Sequence, residues 1–578
     1  MSASENEYDL IVVGSGAGAL LGAVKAADEG LKVLVIEKTT LVGGTSAISG
    51  GGIWIPDNHD MPRAGLRDSL EAAFGYVKTC ARGMSSDDRI LAYVETARVM
   101  ARYLEQIGVA YRCVPKYSDY YPTLDGALPG GRTMDPQDFD AARLGVEALG
   151  HVRPTNPGQL VFGRMHINAF EAHAMLSQAP GSTVALLWRM ARYFLDYPWR
   201  SRTRRDRRLT GGQALVAGLY AALRKRQVPV WRETALESLI VEGGHVRGVR
   251  ARRGGQAMAL HARRGVLLSA GGFERNQAMR EQYLPAPTDQ AWTATPPGAN
   301  TGDAIRAGAE AGGALHLMAH TWGAPTMEVP KEEKFRAVFV ERSLPGCMVV
   351  DARGERFLNE SGPYPEFQQA MIARHGHGAG AVPAWIVFDA DFRARNPMGP
   401  MMPGKAVPDA KLRKSWLGTV YWKGETLDAL AQQIGVDAEG LKRSAARMTE
   451  FATSGKDLDF GRGDNSFDRY YGDPRRRNPN LGPVAKGPFY AMKLWPGDIG
   501  TKGGLLTDRE ARVLDERGQV IAGLYCVGNN SASVMGPAYP GAGSTLGPAM
   551  TFAYRAVMQM VGKPLALERS DLLDAAGN

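Results

Sequence analysis

Apolar residues fill positions 8–13 almost without a break, and the run stops on Gly14. A run of this length closed by glycine predicts a short strand buried on both faces. Past the turn Gly14-Ser15-Gly16-Ala17-Gly18-Ala19, the apolar positions take helical spacing as far as about Glu29. Lys32 to Glu37 then reads as a second buried strand ending on an acid. Farther on, 233–249 and 265–273 read as strands bracketing a hairpin, and 524–529 as a strand near the end of the chain. Between them, about Trp322 to Gly500 mixes strands with helical stretches such as Leu427 to Ile434 and Ala438 to Thr453. The fold class predicted is α/β: a Rossmann-type nucleotide-binding domain from 1–321 and 501–578, with an α+β domain inserted over 322–500. A chain of 578 residues is too long for one ordinary core, which agrees with two domains.

Each part of the first turn has a physical task. Gly14 makes the turn, Gly16 lets the backbone approach a pyrophosphate, and small Ala19 permits close packing of helix on strand, with Ala17 and Gly18 between them expected at the cofactor. The helix start offers unpaired N–H groups and a positive dipole to the phosphate. Glu37, some twenty residues on, is placed to accept hydrogen bonds from ribose hydroxyls, with Lys38 beside it. The segment that follows brings Gly43, Gly44, Thr45, Ser46, Ser49, Gly50 and Gly51. Two such clusters suit a backbone lying against phosphates and a flat isoalloxazine ring, so the dinucleotide is read as non-covalent FAD rather than a nicotinamide. Ala235, Ala270, Gly271, Asn300, Asp303, Gly528, Asn529 and Leu546, in the later strands and turns, are expected to complete the cofactor site.

Composition narrows the setting. Hydrophobic residues at 44% and charged residues at 22% give the balance of a soluble globular protein. The four cysteines are scattered with no CxxC pair, so neither a disulfide framework nor a metal site is expected. The acidic start leads straight into a strand and carries no signal-peptide pattern, which predicts a cytoplasmic address. The net charge of +9 is unevenly placed, with Arg200, Arg202, Arg204, Arg205, Arg207 and Arg208 set against Asp206 alone. They close a segment of about 150–208 in which residues 182–208 mix leucines and aromatics with arginines. Charge interrupts this stretch too often for a membrane span, but it suits a helix lying on a bilayer surface, on the inner face of the cell membrane. A dimer contact and a solvated basic face are the alternatives, and no fold signal supports nucleic-acid binding.

The strings GSGAGAL, GGTSAISGG, NTGDAI, GERFLNESGPY, GPFYA, GTKGGL and GNNSASVMGPAYPGAGSTLGPAMTF resemble the 3-ketosteroid Δ1-dehydrogenases, within the wider fumarate-reductase-like flavoproteins. The resemblance covers nearly the whole chain apart from roughly 150–208, and the pairing of NESxPY with YPGxG is its most specific part. It implies that the inserted domain is a catalytic cap and that the reaction is FAD-dependent 1,2-desaturation of a 3-ketosteroid A ring. In that family a base takes the C2 proton while a hydride leaves C1 for flavin N5. By similarity Tyr364 matches the base and Tyr120 the tyrosine that assists it, with Tyr117 and Tyr121 as close neighbours. Tyr539 and the backbone N–H of Gly543 match the pair that grips the ketone oxygen. A free phenol ionises near pH 10, so a tyrosine base needs a second phenol or a positive dipole to help it. The helical stretch after Gly543, with Pro548 near its first turn, would aim N–H groups at developing negative charge.

Three rival readings remain: desaturation at C4–C5, a fumarate-reductase-like dicarboxylate oxidoreductase, and a flavin-binding module without catalysis. YPGAG argues against the first. The second needs arginine and histidine clamps on carboxylates, and the ten histidines are dispersed. The motif tyrosines argue against the third. With no NAD or haem motif, the electron acceptor is expected to be quinone-like or artificial.

Overall fold

The computed structural model describes residues 6–156, 160–176 and 179–565. Its larger sheet has eight strands and a parallel centre. Strand Glu7–Val13 lies between Gln256–Leu268 and Val33–Ile36, and both pairings are parallel. Val520–Cys526 extends the sheet on one side and Val230–Trp231 on the other, again in parallel. Strands covered on both faces read as continuous apolar runs. Accordingly Leu10, Ile11, Val12, Leu34, Val35 and Ile36 are fully buried. Helices Ala17–Asp28 and Leu546–Met560 cover one face, packed against each other. The first and last parts of the chain thus share one sheet.

One region departs from the sequence expectation. Residues 234–268 form a three-strand meander, Thr234–Glu242, His245–Arg253 and Gln256–Leu268, with antiparallel pairings. The third strand begins nine residues before the expected start at 265. Gly254 and Gly255 both take left-handed φ, +54° and +83°, and make a tight second turn. Up to Gly265 the strand that follows is half exposed, and its apolar run is only the four residues Ala257 to Leu260 between polar Gln256 and His261, so no long apolar run marks it. The expected strand 265–273 ends at Leu268, and Ser269 to Phe273 form a loop instead.

A six-stranded sheet includes Thr321–Met327, Cys347–Val350, Ala384–Phe388 and Phe489–Thr501. Helices Leu427–Ile434 and Ala438–Ser454 form where the apolar periodicity placed them. Arg280, next to the first sheet, donates to Asp498 on the strand Phe489–Thr501 at 2.7 Å, and both are buried. Helix Tyr364–Arg374 packs on Thr321–Met327 and Phe489–Thr501 of the six-stranded sheet.

Residues 169–208 carry the helices Ala169–Leu176, Ser182–Leu195 and Tyr197–Arg200. The second is amphipathic with its apolar side outward: Val184, Leu187, Trp188 and Leu195 are 58–78% exposed, while Tyr193 is buried. The buried carboxylate of Asp206 pins the segment, accepting from Arg189 and from the backbone N–H of His166. Among the described residues no helix is long and apolar enough to cross a membrane.

Candidate active site

The turn after the first strand is shaped by what a side chain would strike. Gly14 has φ +102°, and a Cβ there would sit 2.3 Å from the Ser269 carbonyl oxygen. Gly51 and Gly271 are equally crowded, against the Gly211 backbone and the Asn300 side chain. Gly16 caps Ala17–Asp28 without a side-chain hydrogen bond, which leaves N–H groups of the helix start for a ligand. Ser46 takes one of them, from Ala17 at 3.1 Å. Glu37 is held in place by the Ser15 hydroxyl at 2.6 Å and by the N–H and hydroxyl of Thr39. Lys38 reaches across to Thr301 and Asp303 at 2.5 and 2.8 Å. Asn300, at φ +55°, donates to Thr45 and to the buried Glu274. A backbone cradle, free helix N–H groups and an oriented acid fit the diphosphate and ribose of FAD.

These groups line one cavity of ≈ 460 Å³ that runs on to the tyrosines. Of the residues singled out in the sequence, the cavity walls include Gly14, Gly16, Ala17, Gly18, Glu37, Lys38, Gly44, Thr45, Ser46, Ser49, Gly50 and Gly51. They also include Ala270, Gly271, Asn300, Asp303, Gly528, Asn529, Leu546, Tyr120, Tyr364, Tyr539 and Gly543. Two expected residues lie off the wall. Gly43, at φ +108°, faces Val216 and serves the turn, its N–H donating to Ser15. Ala235 sits between the lining residues Thr234 and Leu236, because neighbouring strand side chains point to opposite faces.

At the far end three phenols converge. Tyr120 Oη donates to Tyr364 Oη at 2.6 Å, and Tyr117 Oη lies 3.2 Å from Tyr364 Oη and 3.4 Å from Tyr120 Oη. Burial holds Tyr117 and Tyr120 well above the usual phenol range, so both stay protonated and able to donate. Tyr121 points elsewhere: its hydroxyl donates to Glu366 at 2.6 Å and accepts from the N–H of Tyr539. Tyr539 stacks on Tyr120 with centroids 5.1 Å apart, and stands nearly perpendicular to Tyr364 at 82°. The Tyr539 hydroxyl is also raised by burial, with the Thr545 hydroxyl and Gly543 N–H bonded to it. Gly543 has φ +99° and backs onto the Ile53–Trp54 backbone, where a Cβ would come within 2.3 Å. Lys502, fully buried, donates to the carbonyls of Pro537 and Ala538 and so braces the loop before Tyr539.

Sequence reasoning missed several wall residues, since nothing local marks them. Tyr470 stacks on Tyr117 at 4.4 Å, and His173 stacks on Tyr470 at 4.5 Å, making a column of three rings. Ala169, Ala172, His173 and Leu176 line the cavity, so the segment at 150–208 supplies one of its walls. Asp135 faces the same space and accepts from the Ala169 N–H.

The chain matches the model of the "FAD binding domain" family over residues 9–546. It is 58% identical to a 3-oxosteroid 1-dehydrogenase of Comamonas testosteroni, over 99% of each chain. A 3-oxosteroid 1-dehydrogenase of Mycobacterium tuberculosis is 40% identical, over 96% of this chain and 98% of its own. The structure superposes with a TM-score of 0.94 on the 3-ketosteroid Δ1-dehydrogenase from Sterolibacterium denitrificans in complex with 1,4-androstadiene-3,17-dione. That match has 52% identity and covers 96% of this chain and 100% of the other.

Burial raises the Asp135 carboxyl to about 7. In the folded state it therefore holds its proton more tightly than in the unfolded chain, where it ionises near pH 4. The stability it contributes is present below about pH 4 and is lost as pH rises through about 7. Asp135→Asn keeps an acceptor for Ala169 but cannot ionise. The melting-temperature difference, variant minus wild type, should thus be more positive at about pH 8 than at about pH 5 by differential scanning fluorimetry. A difference that stays constant with pH would mean this carboxyl ionises freely.

Proposed function

Because the chain belongs to the FAD-binding domain family and, within it, to the 3-oxosteroid 1-dehydrogenases, we propose its chemistry residue by residue. It is an FAD-dependent oxidoreductase that converts 3-oxo-Δ4-steroids to 3-oxo-Δ1,4-steroids. FAD, held at the Gly14–Gly18 turn and Glu37, would supply the acceptor for the hydride from C1. The steroid A ring lies in the frame of Tyr120, Tyr364 and Tyr539, with its ketone oxygen held by Tyr539 Oη and the N–H of Gly543. Removing the C2 proton puts negative charge on that oxygen, and two preorganised donors stabilise it where they need no reorganisation. Tyr364 takes the C2 proton, while Tyr120 donates to its oxygen and favours the ionised form. The observation that carries this reading is the 2.6 Å bond from Tyr120 to Tyr364 beside Tyr539 and Gly543 on one cavity wall.

The expected cofactor residues would divide by height along the cavity, with Gly14 to Gly18, Glu37 and Lys38 at the diphosphate and ribose. Thr45 to Gly51, Gly528, Asn529 and Leu546 would stand nearer the isoalloxazine ring. Residues 1–321 and 501–578 would form the FAD-binding domain and 322–500 the catalytic cap. A quinone-like or artificial oxidant is the proposed electron acceptor.

We further propose that the protein is cytoplasmic and docks on the inner face of the cell membrane through the helix Ser182–Leu195. Val184, Leu187, Trp188 and Leu195 follow helical spacing and would enter the headgroup boundary. Exposed Arg192, Arg202 and Arg204 would meet anionic lipid. Not all the local arginines are free for this: Arg189 is held by Asp206, Arg207 by Asp140, and Arg208 by Asp138 and Glu171. Because the adjoining helix Ala169–Leu176 lines the cavity, docking there would bring a membrane-dissolved steroid to the entrance.

Androst-4-ene-3,17-dione should bleach the flavin anaerobically and yield the 1,4-diene, whereas succinate should not. Tyr364→Phe should lose turnover while keeping its flavin. Bleaching by succinate alone would overturn the substrate class, and loss of flavin in the variant would make Tyr364 a structural residue. On anionic vesicles, Leu187→Ser with Trp188→Ser should reduce co-sedimentation several-fold without changing turnover of soluble steroid. Equal sedimentation of variant and wild type would remove the docking role from this helix.

A further inference from the structure

Beneath the tyrosines lies a buried charge that the reaction as described does not use. Arg342, in the short turn Glu341–Ser343, is 1% exposed. Its guanidinium carbon stands 5.3 Å from the ring centroid of Tyr364 and 5.3 Å from that of Phe367. One Nη donates to the backbone carbonyl of Glu360, while its Nε is buried without a hydrogen-bond partner. The neighbouring buried arginines are differently placed: Arg356 pairs with Glu360 and Asp457, and Arg462 with Glu360. Among the described residues Arg342 makes no ion pair. A guanidinium kept from water without a counter-ion is costly, and folds retain one where its charge is used.

We propose that Arg342 is the positioning charge for the base: it sits on the face of Tyr364 and stabilises the phenolate that removes the C2 proton. The proposal rests on the reading of Tyr364 as that base. A phenolate spreads its negative charge into the ring. A cation over the ring face, held by a modest quadrupole attraction while the phenol is neutral, gains a full charge–charge attraction when it ionises. Exclusion of water strengthens that gain. Tyr120 and Tyr117 supply donors to the oxygen, and Arg342 supplies the charge that neither phenol can give.

The surroundings agree. The titratable groups near Tyr364 are Tyr117, Tyr120, Tyr471 and Tyr539, all phenols raised by burial, besides Arg342 itself. Those near Arg342 are Tyr364, Asp468, Tyr120, Tyr117 and Glu341. Asp468 already accepts from Asn359 and the N–H of Gly463, and burial raises it, as burial raises Glu341, so both are poor counter-ions. Burial lowers Arg342 itself from its very high starting point, and the coupling with Tyr364 pushes it back up. The motif around Tyr364 thus does two things. Its Glu360 gathers Arg356 and Arg462 with its carboxylate and orients Arg342 with its carbonyl, four residues before the phenol that the charge serves.

The test is anaerobic stopped-flow flavin reduction of the holoenzyme by androst-4-ene-3,17-dione across pH. In wild type the rate should rise with pH along an acid limb set by the base. In Arg342→Gln that acid limb should move up by about one to two pH units, with about a 10- to 100-fold slower rate near neutrality. Arg342→Lys, which keeps the charge but not the planar contact, should fall between the two. Placing 3-fluorotyrosine, a more acidic phenol, at position 364 should return the limb of either variant toward wild type. A purely structural role predicts no such rescue. An unmoved limb in a flavin-replete Arg342→Gln enzyme, or no rescue by fluorotyrosine, would overturn the proposal. If Arg342→Gln does not fold, the fluorotyrosine comparison in Arg342→Lys decides it. A Tyr364→Phe enzyme that still turns over would overturn the base assignment, whereas an inactive Tyr364→Phe beside a silent Arg342→Gln would overturn only the role of Arg342.

Discussion

A phenol asked to remove a proton near neutral pH starts some three units from the acidity it needs. On the proposed reading, that demand falls on Tyr364. Its oxygen receives Tyr120 at 2.6 Å and Tyr117 at 3.2 Å, and its ring rests on Arg342. Tyr117 and Tyr120 come from a stretch of chain far from Arg342 and Tyr364, so this environment exists only once the distant stretches have folded together. Buried contacts such as Arg280 with Asp498 join distant parts of the chain in the same way. The burial that raises Tyr117, Tyr120 and Tyr539 keeps them protonated and able to donate.

The cofactor end follows a different logic. There the work is done by the backbone, and side chains are excluded where they would block it. Gly14, Gly51, Gly271 and Gly543 each occupy a place where a Cβ would meet another atom within 2.5 Å. Gly543 is crowded in the same way, against Ile53 and Trp54, and its N–H lies beside the Tyr539 hydroxyl.

Much of the cofactor half was legible because its signals are local. Strand, glycine turn, helix and acid succeed one another within thirty residues, and the physical demand on each position can be read in order. Strand alternation, which the sequence alone does not resolve there, puts the side chains of Thr234 and Leu236 rather than Ala235 on the wall. The meander at 234–268 was harder because the first half of its third strand is largely exposed and carries only a short apolar run. At the catalytic end the motifs pointed to Tyr364 and Tyr539, but they could not separate Tyr117 from Tyr120, and the structure sets both on Tyr364. Arg342, Asp135 and His173 left no trace in periodicity or spacing, because their relation to the tyrosines is made only through space. In the arginine-rich stretch the sequence shows the charges but not their partners: Arg205 is spent on the carbonyls of Leu149 and Val152, and Arg207 and Arg208 on carboxylates.

The central claim is that Tyr364, in its setting of phenols and buried charge, takes the proton from C2. Chemical reduction of the flavin blocks hydride loss from C1 and isolates that step. Exchange of the C2 hydrogens of androst-4-ene-3,17-dione into heavy water on the reduced enzyme, followed by mass spectrometry, then reports the base alone. The account predicts exchange well above the solvent background in wild type and background exchange in Tyr364→Phe. Equal exchange by the two enzymes would contradict it.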